Sequence, residues 1–300
     1  MGHGQPRALF VGAATVDSIA LVASFPHPDE RVVADDLVFA GGGPAATAAV
    51  AASRLGVPAA FVGTVGDDED GRRIVAGLEE QGVDVSCVAV ARGTRSGASV
   101  IVVDRARGTR AICARPGPAL DPSLVAEAVS GAEWVHTDHV GWGAVRAAVR
   151  PSGSQRPRLS VDLGYRVDGF SPRGVDLFAP SIEALRAVHG ELDPEALLKA
   201  ALDEGALRVV ATDGGRGSFG ADASGERAHA PGVPVEVVST LGAGDVFHGA
   251  LLAAHVRGLS LEDALLYANT TAALSCEGLD GRSAIPTHDR VEAHLRATSR

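Results

Sequence analysis

A chain of 300 residues, 46% hydrophobic and 4% aromatic, is long enough for one substantial core packed mainly by small aliphatic side chains. Its formal net charge of -10 and its lack of Lys/Arg clusters argue against binding to nucleic acid or to an anionic membrane surface. Its three cysteines show no metal or disulfide spacing, and no apolar stretch reaches the ~20 residues of a membrane span. We therefore expect a cytoplasmic protein.

The beginning of the chain predicts a buried strand followed by a polar side chain. Residues 8–14 have the composition of a short buried strand, and Asp17 follows shortly afterwards. Open α/β sheets place their ligands just beyond the carboxyl ends of strands, so Asp17 is a candidate binding residue. A turn role for Asp17 is the alternative.

Two pairs of extended segments predict a β-flap. Residues 18–23 and 31–39 look like strands with no helix between them, and 96–103 with 109–113 looks like a hairpin. We expect these segments, about 18–40 and 96–115, to form a small separate sheet.

A glycine-rich loop precedes the first predicted helix. Gly41, Gly42 and Gly43 are followed by Pro44 and an Ala-rich run that ends before Gly56. Pro at a helix start and Gly after its end are helix boundary signals, and the glycines would let the backbone approach a ligand closely. The alternative is a tight strand-to-helix turn made only for packing.

From about residue 120 the pattern alternates between helix and strand, which predicts a parallel sheet covered on both faces. A strand ending at Thr212 runs into a second glycine-rich turn containing Gly214 and Gly217, which could cradle phosphates or a ribose. His136, Asp138 and His139 resemble a metal site, but alternation along a strand would separate the two histidines, so ligation is disfavoured. No GxGxxG follows the first strand, which disfavours a dinucleotide-binding dehydrogenase.

The segment VSTLGAGDVFHG, residues 238–249, predicts a loop that opens a helix. Gly242, Ala243 and Gly244 can turn their N–H groups toward one point, where the helix dipole also favours negative charge. Asp245 then lies in the first helical turn. It is suited to accept a proton from a substrate hydroxyl, or alternatively it only stabilises the helix start.

Together, Gly41-Gly42 before an Ala-rich helix, Thr212-x-Gly214-x-x-Gly217 and Gly242-Ala243-Gly244-Asp245 resemble the PfkB/ribokinase family of carbohydrate kinases, over essentially the whole chain. The motifs look most similar to the branch that contains sulfofructose kinase, with ketohexokinase more distant. The resemblance implies an α/β, Rossmann-like ribokinase fold in one domain spanning 1–300, with a mostly parallel sheet flanked by helices and a small β-sheet lid. It also implies transfer of the γ-phosphoryl group of ATP, with Mg²⁺, to a sugar hydroxymethyl group.

The resemblance assigns roles to individual residues. Asp245 resembles the catalytic base, and the N–H groups of Gly242, Ala243 and Gly244 resemble its anion hole. Asp17 and the loop from Gly41 to Gly43 resemble the sugar-holding elements. The remaining candidates, on the nucleotide and metal side, are Thr212, Gly214, Gly217 and Asn269 for ATP, and Glu183, acting through water, for Mg²⁺.

Departures from the family pattern bear on the substrate. Gly43 and Ala46 stand where many members carry Asn, so the pocket would gain volume and lose amides that bind sugar hydroxyls. We expect a ketohexose or an anionic sugar derivative, drawing on lid arginines such as Arg110 or Arg115, to be preferred to ribose. The alternative is that ordered water replaces the amides.

A second departure is Ser239, where many members carry an Asp beside a monovalent-cation site, so we expect little activation by potassium. A homodimer formed through the lid is a further expectation. Two rival functions stay open: a nucleoside kinase of the same fold, and a sugar or nucleotide sensor without catalysis.

Overall fold

The structure is a computed structural model that describes residues 8–149, 156–164, 167 and 169–298. Its strands are β1 Ala8–Val11, β2 Thr15–Val22, β3 Asp36–Gly42, β4 Ala59–Gly66, β5 Asp84–Ala91, β6 Gly97–Asp104, β7 Thr109–Arg115, β8 Trp134–Thr137, β9 Arg158–Val161, β10 Leu177–Phe178, β11 Arg208–Thr212, β12 Ser218–Asp222 and β13 Arg227–Ala230. Its helices are α1 Pro44–Arg54, α2 Glu69–Glu80, α3 Pro122–Ala128, α4 Trp142–Ala148, α5 Ile182–His189, α6 Pro194–Asp203, α7 Ala243–Val256, α8 Leu261–Ser275 and α9 His288–Thr298.

The larger sheet has nine strands in the order β13-β12-β11-β10-β9-β8-β1-β4-β5. The strands from β11 to β5 pair in parallel, and β12 and β13 extend the sheet antiparallel. The predicted parallel sheet is therefore confirmed. The edge strand β5 and the β12–β13 hairpin had no counterpart in the predicted elements.

Helices cover both faces of this sheet because successive residues of each strand point to opposite sides. On β1, Phe10 packs with α1, α7 and α8, whereas Leu9 and Val11 pack with α3 and α4. Since β1 lies between β4 and β8, its carboxyl end is a topological switch point, the place where such sheets bind ligands.

The smaller sheet has the strand order β3-β2-β6-β7. Three residues of this sheet, Ile19, Ile101 and Val103, form a buried apolar cluster with Leu279. The cluster joins the small sheet to the loop after α8. The expected small sheet is thereby confirmed. It contains β2 and β3 from the first pair of predicted segments and β6 and β7 from the second pair.

Close packing of α1 against α7 positions the two glycine-rich loops. A side chain at Gly249 of α7 would overlap the Ala48 carbonyl and approach the Ala51 Cβ to 2.8 Å. The Ala-rich face of α1 and this glycine let the two helix backbones approach closely. The N-terminus of α7 is thereby fixed relative to the N-terminus of α1.

Candidate active site

Asp138, directly after β8, holds the switch point together. Its Oδ2 accepts hydrogen bonds from the backbone N–H groups of Ala13 at 2.8 Å and Ala45 at 3.2 Å. Its Oδ1 accepts from the N–H groups of Val140 at 2.9 Å and Gly141 at 3.0 Å. Both oxygens are occupied by backbone donors, so Asp138 fastens the end of β1 to the start of α1.

Among the residues described, no three His, Cys, Asp or Glu side chains form a group able to hold a metal ion.

Asp17 lies on β2 at the junction of the two sheets, with 8% of its surface exposed. Its Oδ1 accepts a hydrogen bond from the Thr15 hydroxyl at 2.9 Å. Burial raises the pKa of Asp17, and the Thr15 and Ser99 hydroxyls and the charge of Arg282 partly offset that rise. A Cβ at Gly42 would overlap the Asp17 carboxylate, so this carboxylate lies directly against the glycine loop.

A side chain at Gly41 or Gly43 of the glycine loop would overlap neighbouring atoms. Gly43 has φ 91°, and a Cβ there would lie 2.5 Å from the Ala13 carbonyl oxygen and 2.7 Å from the Ala14 Cα. A Cβ at Gly41 would overlap the Arg282 guanidinium. The expectation of extra volume is therefore wrong at Gly43, because backbone of the β1–β2 connection fills that space. Ala46, the other position of that expectation, is fully buried on α1.

Asp245 lies in the first turn of α7, where helix N–H groups lack intrahelical acceptors. Gly242 adopts the left-handed conformation, φ 73°, and opens the helix, while the Ala243 N–H donates to the Thr240 carbonyl at 3.3 Å. The pKa of Asp245 is raised to about 7, mainly by burial and also by the charges of Asp162 and Asp138, while the charges of His248 and Arg282 oppose the rise. A carboxyl group with this pKa can accept a proton near neutral pH.

A buried ion pair lies beneath Asp245. Asp162 follows β9, and its Oδ1 lies 3.2 Å from His248 Nε2, one turn after Asp245 on α7. Burial alone would lower the pKa of His248, but the charge and hydrogen bond of Asp162 raise it above its usual value. The neighbouring His136 is held neutral, since burial lowers its pKa to about 3, and its Nδ1 lies 3.0 Å from the Ser160 hydroxyl.

Arg282 lies in the bend after α8 and is 8% exposed. Its Nη2 donates to the Gly42 carbonyl at 2.6 Å, and its Nε donates to the Thr47 hydroxyl at 3.1 Å. Burial lowers its pKa to about 10, against the charges of Asp17, Asp245 and Asp280. The guanidinium therefore braces the glycine loop and lies in the electrostatic field of both candidate carboxylates.

Comparison with known proteins assigns this arrangement to a family. The model of the "pfkB family carbohydrate kinase" matches residues 5–150 and 170–288. The chain belongs to the PfkB family of carbohydrate kinases.

One relative of this PfkB kinase is the ATP-dependent ribose-1-phosphate kinase of Halopiger xanaduensis, 30% identical over 96% of this chain and 98% of that protein. Ribokinase of Arabidopsis thaliana, solved with ribose and ATP, superposes with a TM-score of 0.79 at 23% identity over 98% and 99% of the two chains. A ribokinase II of E. coli, solved with ATP and Mg²⁺, superposes with a TM-score of 0.83 at 22% identity, over 97% of this chain and 99% of that chain. These two structures share the fold, which confirms the expected ribokinase-like architecture.

On the side expected to bind nucleotide, the PfkB kinase has a short 3₁₀ turn after β11. Gly214 and Gly217 have φ 54° and 102°, a Cβ at Gly214 would meet open space, and Thr212 is half-buried at the end of β11. Asn269 on α8 donates both amide hydrogens to backbone, to the Ala230 carbonyl at 3.0 Å and the Pro231 carbonyl at 3.1 Å. Asn269 therefore shapes the loop after β13.

The predicted metal residue, Glu183, belongs to no metal-binding group of acidic side chains among the described residues. Glu183 is exposed in the first turn of α5, and the neighbouring Ser181 forms a bridge with Thr212. Its role with Mg²⁺ stays a prediction.

The two arginines that we expected on a lid both belong to β7 but differ in their contacts. Arg110 of β7 donates its Nη1 to the Thr240 hydroxyl at 3.0 Å, just before the Gly-Ala-Gly turn. Arg115 donates to the Ser96 carbonyl at 3.0 Å and to Asp70 at 3.3 Å. Arg115 also lines a cavity of about 580 Å³ between α2 and the small sheet, together with Asp17, Gly41 and Arg282.

The structure adds Asp162, His248 and Arg282 to the candidate residues, and it places Asp138, which the sequence suggested only as part of a disfavoured metal site, at the switch point. Asp138 and Asp162 each follow a parallel strand directly, which is the same signal that selected Asp17. His248 stands three residues after Asp245 on one helix, a spacing that places the two side chains on one face. Arg282 had no local signal, since its partners Gly42 and Thr47 are more than 200 residues away in sequence.

Proposed function

We propose that this PfkB kinase transfers the γ-phosphoryl group of ATP to the hydroxymethyl group of a sugar. The observation that carries the proposal is Asp245, a carboxyl group with a pKa raised to about 7, at the glycine-opened start of α7. The ATP-dependent relative and the ribokinases solved with ATP support ATP as the donor.

In this proposal Asp245 orients the hydroxymethyl group and accepts its proton as the phosphoryl group is transferred. The N–H groups of Gly242, Ala243 and Gly244 then face the charge on the transferring phosphoryl oxygens, and the N-terminus of α7 adds its partial positive charge. The 3.3 Å hydrogen bond from Ala243 to Thr240 is long, so this N–H could turn to a phosphate at little cost.

Asp17 and the loop from Gly41 to Gly43 would hold the sugar. Asp17 is buried beside the loop and can accept hydrogen bonds from two sugar hydroxyls. The small sheet would act as a lid that keeps water away from the transferring phosphoryl group, since its apolar residues already pack on the loop after α8.

ATP would lie along Thr212, Gly214 and Gly217, with Asn269 fixing the loop that borders the adenine. Mg²⁺ in kinases is held mainly by phosphate oxygens and water, which suits a chain whose described residues form no acidic metal cluster. When bound, Mg²⁺ would neutralise charge on the phosphates, and Glu183 would contact it through water.

The identity of the sugar rests on the relatives and on the cavity. The Halopiger relative points to ribose 1-phosphate and the Arabidopsis ribokinase to ribose, and the filled space at Gly43 removes one reason for excluding ribose. The 580 Å³ cavity, lined also by Arg73 and Arg115, favours a longer or anionic sugar such as a ketohexose derivative. We propose ribose or a related sugar as the substrate, with a ketohexose derivative as the second candidate.

A second copy of the chain would cover the outward face of the small sheet. Phe39 and Val100 are 81% and 58% exposed and both pair in register with Ser18, and Leu37 is 68% exposed nearby. An exposed apolar sheet face of this kind is suited to a protein interface. Light scattering should report a dimer, and Phe39→Glu should shift it toward monomer.

An ADP-release screen tests the kinase proposal. The panel contains D-ribose, ribose 1-phosphate, D-fructose, sulfonated ketoses and adenosine, each with ATP and Mg²⁺. We expect a sugar to exceed adenosine by at least tenfold in kcat/KM. Preference for adenosine would indicate a nucleoside kinase, and sugar binding without ADP release would indicate a sensor.

A further inference from the structure

Arg282 is held rigidly at the base of the sugar-side cavity. The Asp280 Oδ1 accepts hydrogen bonds from the backbone N–H groups of Arg282 and Ser283, both at 2.7 Å, and so fixes the bend that carries the arginine. The guanidinium then reaches Gly42 and Thr47 on the other side of the site. Its position is therefore determined from both ends.

The guanidinium keeps unused donors. An arginine side chain has five N–H donors. One from Nε goes to Thr47 and one from Nη2 goes to Gly42, which leaves both hydrogens of Nη1 and one of Nη2 with no acceptor among the residues described. Because Arg282 lines the cavity, these donors are open to a ligand that enters it.

The surrounding carboxylates are near enough to act electrostatically but too far for contact. Asp17 and Asp245 both stabilise the charge of Arg282, as does Asp280. Within the described part of the chain, no carboxylate oxygen lies within 4.0 Å of the guanidinium nitrogens. A cation and carboxylates held apart around a cavity leave room for a group that bonds to both.

A sugar hydroxyl is such a group, because it donates one hydrogen bond and accepts others. It can donate to Asp17 while accepting from Arg282. An anionic group is less suited to this position, since Asp17, Asp245 and Asp280 already place negative charge around the Arg282 guanidinium.

We propose that Arg282 is a specificity-determining residue that donates to a ring hydroxyl of the sugar, the same hydroxyl or its neighbour being bound by Asp17. This inference rests on the proposed sugar-kinase function and names the hydroxyl-bearing part of the substrate. Arg282 supplies the donors that a side chain at Gly43 cannot, because backbone fills the space at that position.

The test combines Arg282→Gln and Arg282→Lys with deoxy sugars. The probes are D-ribose, 2-deoxy-D-ribose and 3-deoxy-D-ribose, and the monodeoxy forms of D-fructose if fructose releases more ADP. Wild type should prefer the parent sugar to one deoxy form by at least tenfold in kcat/KM. Arg282→Gln should lower kcat/KM for the parent sugar at least tenfold and change kcat/KM for that deoxy form little. The ratio of the two kcat/KM values should therefore fall to about one in Arg282→Gln and to an intermediate value in Arg282→Lys.

Arg156→Gln is the matched control. Arg156 is a half-buried arginine outside the lining of this cavity, and it donates to the Pro157 carbonyl at 3.0 Å and to the Asp176 carboxylate at 2.6 Å. It should lower Tm as Arg282→Gln does but keep the wild-type preference among the deoxy sugars. An Arg282→Gln enzyme that retains the preference, or a wild type that shows none, would overturn the inference.

Calorimetry separates this inference from the kinase proposal. If no sugar releases ADP from wild type, the kinase proposal fails, but sugar binding to wild type and Arg282→Gln can still be compared. Binding that weakens at least tenfold in the variant, and equalises between parent and deoxy sugar, supports Arg282 as a hydroxyl donor. Equal binding by both proteins, or no binding by wild type, overturns it.

Discussion

The raised pKa of Asp245 should appear as a pH limit on turnover. With a pKa of about 7, the carboxylate form makes up roughly nine-tenths of the enzyme at pH 8 and one-tenth at pH 6. If that form alone accepts the hydroxyl proton, kcat/KM should rise about tenfold from pH 6 to pH 8 and about 90-fold from pH 5 to pH 8. An aspartate with an ordinary pKa would give a flat profile over this range.

Asp162→Asn should move this limit to lower pH. The groups whose charges act on Asp245 are Asp162 and Asp138, which raise its pKa, and His248 and Arg282, which lower it. The charge of Asp162 raises the pKa of Asp245 by more than the charge of His248 lowers it. The pKa of Asp245 therefore falls in Asp162→Asn even if His248, which pairs with Asp162, also loses its proton. The acid limb should therefore shift downward.

The assay is ADP release at subsaturating sugar and saturating ATP, from pH 5 to 9, for wild type and Asp162→Asn. Protonation of ATP affects both enzymes equally, so the difference between the two profiles belongs to the protein. A flat wild-type profile, or an acid limb that moves upward in Asp162→Asn, would refute this account of the base.

Three further predictions concern other parts of the molecule. Potassium chloride should raise the rate less than tenfold over tetramethylammonium chloride at equal ionic strength, because the neutral Ser239 stands where the family resemblance led us to expect a carboxylate beside a cation. Gly249→Val should lower the free energy of unfolding by about 1–3 kcal/mol, because the new side chain would overlap α1. The control Gly143→Ala, whose Cβ meets open space, should be neutral or slightly stabilising. Chemical denaturation measures both variants, and an unchanged stability of Gly249→Val would contradict the close packing of α1 and α7. Glu183→Gln should raise the Mg²⁺ concentration for half-maximal rate by severalfold, and an unchanged requirement would remove Glu183 from the site.

Local sequence patterns predicted most of the architecture. The Ala-rich run after Pro44, the glycine turn before Asp245 and the extended segments of the small sheet are all short-range signals, and their elements formed within a few residues of the expected bounds. The strand β5 was missed because a half-buried edge strand alternates weakly. The β12–β13 hairpin was missed because its residues follow a glycine turn that resembled a ligand loop.

The electrostatics of the site could not be read in the same way. Asp162 and His248 come from a strand end and a helix far apart in sequence, and their 3.2 Å contact exists only once β9 and α7 pack together. The reading of Gly43 failed for the same reason. The backbone that fills its Cβ position belongs to the β1–β2 connection, and sequence pattern alone does not place that backbone.

Turnover by Asp245→Asn is the most direct test that Asp245 is the base. The substitution keeps the shape of the side chain and removes the proton acceptor, so kcat with the best sugar at pH 8 should fall by on the order of 10² or more. Calorimetry should show ATP binding nearly unchanged, because the N–H groups that we propose to face the phosphates remain. Near wild-type turnover by Asp245→Asn would contradict the assignment of Asp245 as the base.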